Sequence, residues 1–116
     1  MSAEPIRHPR RPCGQCPWRR DTPPGKFPAD RYAALAATDG TPGREAPLAA
    51  PIFACHLSGE GHDQACAGWL AVVGLDHLGI RLAAAAGRLD PATLRPGPDW
   101  PPLFGSFADM VEHQAG

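Results

Sequence analysis

The sequence predicts a mainly α, small, loop-rich single domain organised around a four-cysteine metal site, with room for one short β-hairpin. Three observations predict it. The length of 116 residues allows one small domain with a modest core. Fifteen Pro and thirteen Gly cut regular elements short. Four cysteines, Cys13, Cys16, Cys55 and Cys66, stand in an otherwise ordinary composition. A metal cross-link is a natural remedy for a chain this short and this rich in loops.

Taken in order, residues 1–12 show no periodicity and read as a flexible basic N-terminal arm, with residues 13–116 as the single metal-binding domain. Pro12-Cys13-Gly14-Gln15-Cys16-Pro17-Trp18 is a tight loop, in which Gly14 is expected to relieve the turn and Pro17 to set the exit. A helix is expected over about 29–37, burying Tyr32, Leu35 and Ala36 and ended by Asp39-Gly40. The run 51–55 reads as a strand that delivers Cys55, followed by a polar turn containing His56 and His62. Residues 64–73 read as a helix with Cys66 in its first turn and Trp69, Leu70 and Val73 on its apolar face. Asp76 is the expected N-cap of a helix over 77–86, stopped by Gly87. Asp90-Pro91 starts one short turn, and Ser106 caps a last helix through His113.

Charge is unevenly spread around a net of −1. The N-terminal end carries Arg7, Arg10, Arg11, Arg19 and Arg20 around the first cysteine pair. The N-terminus has no apolar run behind its charges, and the longest apolar stretch, 65–87, is interrupted by Asp76, His77 and Arg81. The expectation is a cytoplasmic protein with no membrane association. In a reducing compartment four cysteines favour a metal or redox site over structural disulfides.

Two cysteines separated by two residues aim both sulfurs at one point, the usual half-site of zinc and of iron–sulfur proteins. The ten residues between Cys55 and Cys66 are long for a second zinc knuckle, so His56 or His62 could replace one thiol or serve a mixed site. Zinc and a [4Fe–4S] cluster use the same four sulfurs, and residue identity does not separate them. A blander reading makes Cys55 and Cys66 small buried hydrophobes beside Phe53 and Trp69. Thiol–disulfide exchange at Cys13–Cys16 is a further alternative, although no strand is evident upstream of it. His8, His77 and His113 read as lone surface histidines, and Trp100, Phe104 and Phe107 as late core closure.

Arg10, Arg11, Arg19 and Arg20 could follow a phosphate backbone, with Trp18 stacking on a base, or could anchor a protein partner. No Ser–His–Asp order, glycine-rich phosphate loop or carboxylate pair stands out. The expected function is therefore a binding or regulatory module for protein or nucleic acid built on a structural zinc. An iron–sulfur redox protein or a metal-dependent enzyme is the alternative.

Three motifs carry a resemblance to a known group: Arg11-Pro-Cys-Gly-Gln-Cys-Pro-Trp-Arg-Arg-Asp21, Phe53-Ala-Cys-His-Leu-Ser58 and Cys66-Ala-Gly-Trp-Leu70. On them the chain resembles a family of short, uncharacterised cysteine-rich proteins of actinobacteria and their phages, a domain of unknown function. The resemblance runs nearly the whole length and places His56 inside a motif, which supports it as a ligand. Cys13 to Arg19 also resembles one element of the WhiB-like iron–sulfur regulators. Asp21 and Thr22 stand here where that group carries a further cysteine.

Overall fold

The computed structural model describes residues 4–25, 27–55 and 64–115. Helices form in short stretches free of Pro. Among the described residues they are α1 (Ala29–Leu35), α2 (Ala67–Val73), α3 (Leu78–Ala85) and α4 (Phe107–Ala115). Pairing between extended segments is limited there to isolated bridges. Of the short hairpin left open by the sequence, the described residues show one antiparallel bridge, Ala54 to Ala65. No described helix is long and apolar enough to cross a membrane.

α1 follows Pro28 and tightens at its end into a 3-10 turn over Ala36–Thr38, where the Thr38 hydroxyl donates to the Leu35 carbonyl at 2.7 Å. Tyr32 is buried as expected, but Leu35 is only half-buried and Ala36 is exposed. α2 begins three residues later than its apolar pattern suggests. Gln64, Ala65 and Cys66 are held extended, because Gln64 and Phe53 accept from Cys55 and Cys66, and Ala65 donates to Arg7. α2 buries Ala67, Gly68, Trp69, Leu70 and Val73, and a helix apolar on nearly every side belongs at the centre.

His77, not Asp76, caps α3. Its Nδ1 accepts from the Ile80 N–H at 3.1 Å. Nε2 therefore carries the proton and donates toward the Ala50 and Pro51 carbonyls, each at 3.2 Å. The expectation of a surface histidine is corrected: His77 is 1% exposed. A neutral imidazole offers one donor and one acceptor, so it can satisfy a helix end and a passing loop from inside the core. Gly87, at φ 78°, ends α3. The Asp90 carboxylate accepts from Ala92 and the Ser106 hydroxyl from Asp109, as their capping roles predict. Trp18, Trp69, Leu70, Ile80 and Met110 form the innermost core, each 0% exposed. The radius of gyration of 13.4 Å matches a well-packed chain of this length.

The end of the α1 segment carries a small electrostatic cost. One carboxylate oxygen of Asp39 is buried without a hydrogen-bond partner among the described residues. Burial, and then the nearby Asp76 charge, raise the Asp39 carboxyl above its ordinary 3.8. A carboxyl raised on folding is penalised when ionised. Its cost is absent below the unfolded value and grows as pH rises through the folded one. Asp39→Asn is expected to raise stability at neutral pH by about 0.5 kcal/mol, a figure discounted for solvent screening. Thermal melts at about pH 7 and about pH 3 check this, because the gain must vanish at the acidic end.

Candidate metal centre

Three consecutive turns shape the first cysteine pair. Cys16 N–H donates to the Cys13 carbonyl at 3.2 Å, Arg19 N–H to Cys16 at 3.1 Å and Thr22 N–H to Arg19 at 3.2 Å. Gly14 is not what permits them. It has no positive φ, and a Cβ there would meet nothing within 4 Å. The loop is fixed from outside. The Thr22 hydroxyl donates to the Cys16 carbonyl at 2.6 Å. Gln114 of α4 donates to the Pro17 and Thr22 carbonyls at 2.9 and 3.3 Å. Phe104 N–H donates to Trp18 at 2.9 Å and Arg20 N–H to Pro102 at 3.0 Å. Gln114 and Thr22 are buried clamps that sequence reasoning missed. One signal was present: Gln114 falls in register with Phe107 and Met110, on the buried face of α4.

The second pair arrives on the Ala54–Ala65 bridge. Cys55 N–H donates to Gln64 at 2.6 Å and Cys66 N–H to Phe53 at 2.8 Å. Cys66 is the N-cap residue of α2 rather than part of its first turn. Its Sγ stands 3.6 Å from that of Cys16, and both thiols are buried. All four cysteines are thiols, with no disulfide among them.

Contact between the two buried thiols moves their acidities in opposite directions. The Cys66 thiol donating toward Cys16 is the main cause that lowers Cys16, and the Trp18 and Gly68 amides and Arg19 also favour its thiolate over the cost of burial. The same contact, with burial and the Cys16 charge, raises Cys66 well above the ordinary thiol value. Cys13 is half-buried and raised, first by desolvation and then by the charges of Cys16 and Cys55. Cys13 therefore shares a field with Cys16 and Cys55. Among the described residues, however, no three His, Cys, Asp or Glu side chains are drawn close enough together to hold a metal ion. His56 lies outside the described residues.

The remaining predicted site residues divide. Trp18, expected to stack on a base, is 0% exposed and packs edge-on against Phe53 at 5.8 Å. It is a core residue, because its flanking Cys16 and Pro17 turn inward with it. Arg19 is bound to Asp21 through two contacts of 2.8 and 2.7 Å and donates to the Cys13 carbonyl at 3.2 Å. Arg20 lies over the Phe104 ring at 5.2 Å. Arg10 and Arg11 are exposed, with Arg11 3.8 Å from Asp99. The segment expected to be a flexible arm lies along the body from Glu4 onward. Ile6 N–H donates to Arg88, Ala65 N–H to Arg7, and the Arg88 side chain to Glu4.

Residues 8–116 match a family of unknown function (DUF6283), and the chain belongs to that family. No curated protein and no solved structure matches the chain.

Proposed function

We propose that this family member holds one zinc ion through Cys13, Cys16, Cys55 and Cys66, as the structural centre of a small binding module. The observation that carries this reading is the 3.6 Å between the Cys16 and Cys66 sulfurs. Two thiolates on one tetrahedral zinc with bonds of about 2.3 Å stand about 3.8 Å apart. In a [4Fe–4S] cluster each iron takes its own cysteine, which spreads the sulfurs further, so the spacing favours a single ion. A buried thiol pair is costly to ionise, and a divalent cation removes that cost by taking both as thiolates. Cys13 and Cys55 would complete the set after reorienting toward the pair, with His56 as a further candidate.

For the partner, burial of Trp18 weakens the nucleic-acid reading, since base stacking needs an exposed ring. Exposed Arg10 borders a cleft of about 400 Å³ that also holds Asp90, Arg95, Asp99 and Trp100. The two carboxylates there oppose a phosphate backbone, and the mixed charges with one aromatic suit a protein segment.

Elemental analysis of protein purified without oxygen tests the centre. One zinc per chain with a colourless solution supports the proposal. A brown protein with labile sulfide and a band near ~400 nm replaces it with a cluster. Neither zinc nor iron in such a preparation overturns both.

A further inference from the structure

A cavity of about 60 Å³ lies beside Cys66, between Pro17, Phe53 and α1. A water needs about 10–15 Å³ by the same measure, so the space suits a molecule of roughly four to six heavy atoms. Its walls are mostly apolar, from Pro17, Phe27, Leu35 and Phe53. Three groups break that pattern: the Cys66 thiol, Tyr32 and Arg31. Tyr32 lines the cavity, is 3% exposed, and its hydroxyl has no hydrogen-bond partner among the described residues. A buried hydroxyl without a partner is rare in a native core and calls for one. Arg31 also lines the cavity, is exposed, and lays its guanidinium over the Phe27 ring at 5.5 Å.

We propose that this cavity binds a short-chain aliphatic carboxylate. The carboxylate accepts from the Tyr32 hydroxyl and the Arg31 guanidinium, and the alkyl body packs on Leu35 and Phe53. The chemistry selects this class. Apolar walls offer too few donors for the oxygens of a phosphate, which would be left unpaired on burial. A purely apolar ligand would leave the Tyr32 hydroxyl as orphaned as before. Burial raises the Tyr32 phenol above its usual value, and the Arg31 charge that partly opposes this rise shows that the two groups sense each other. Tyr32 therefore remains a donor at neutral pH, beside a cation. The cavity wall includes Cys66 of the proposed zinc centre, so zinc content is followed alongside ligand binding in its test.

The test is a titration of the 15N-labelled protein, as purified, with sodium butyrate up to about 50 mM, followed by amide NMR, with butanol and sodium chloride as controls. The expected result is saturable shifts confined to residues 31–35 and 53–54, with butanol weaker. Tyr32→Phe should weaken butyrate roughly fivefold, and Arg31→Ala roughly tenfold, without lowering the melting temperature. Shifts that fail to saturate, that match those of sodium chloride, or that persist unchanged in both variants overturn the proposal. A cavity filled by water alone gives the first of these results. Zinc is measured in the same sample, so loss of the metal reading and loss of the carboxylate reading are separate outcomes.

Discussion

If the proposed zinc is bound, Cys13→Ser is expected to strip it and abolish the cooperative thermal transition. Cys13 is chosen because the competing reading makes the opposite forecast. It is half-buried, in a loop, and its replacement by serine changes little in shape. If no ion is bound, such a substitution should fall within about 0.5 kcal/mol of the parent. If Cys13 is one of four ligands, a hydroxyl in its place is a poor donor to zinc and the site is incomplete.

The size of the loss follows from what the ion closes. Zinc in small domains contributes about 10–16 kcal/mol of apparent binding free energy at neutral pH. The whole folding free energy of a domain is about 5–15 kcal/mol, so the metal-free chain should be largely unfolded. Cys16 and Cys66 are fifty residues apart in sequence and buried side by side, so losing their cross-link also frees a long loop. Circular dichroism melts of Cys13→Ser and of chelator-treated protein check this. A cooperative melt at an unchanged temperature in both would show that the core holds without metal.

Legibility in the sequence tracked whether a residue's role was set locally. The caps at Asp90 and Ser106 and the stop at Gly87 depend on neighbours a few residues away, and each stands where the pattern places it. Rarity and the two-residue gap of the first pair marked the cysteines for attention, and of them Cys16 and Cys66 are seen in contact. That Cys16 meets Cys66, and is closer to it than a loop partner need be, depends on Phe53 and Gly68 and has no local signature. Trp18 misled because a tryptophan among arginines reads as a surface anchor. Its backbone is drawn in by Phe104, and its neighbours Arg19 and Arg20 are spent on Asp21 and Leu103. His77 misled for a related reason: a single imidazole on an apolar helix start is polar in the sequence but fully satisfied in the fold.

Gly68→Ala is expected to lower stability and, on the proposed zinc reading, zinc affinity, although alanine is the better helix former. Gly68 lies inside α2, where alanine would gain about 1 kcal/mol of helix propensity. Against that gain stands the space. A Cβ at Gly68 would sit 2.7 Å from the Trp18 Cβ, 3.3 Å from its Cγ and 3.2 Å from the Cys16 sulfur. Trp18 is wholly buried and held by Phe53 and Phe107, so it cannot retreat cheaply. Overpacking of a closed core costs about 1–3 kcal/mol or more, and here the stiff partner puts the cost at the upper end. The net loss should be about 2 kcal/mol, or roughly 8 °C in melting temperature for a domain of this size. The displaced groups include the Cys16 sulfur, so the variant should also release zinc to a competing chelator faster than the parent does. Gly14→Ala is the matched control, because it lies within the same cysteine loop with open space around it and an ordinary φ. It should leave both readouts unchanged. A Gly68→Ala protein that melts higher than the parent while keeping its zinc would mean that Trp18 and Cys16 can move apart from α2, and the tight seam between the cysteine loop and the central helix would not be what holds the site.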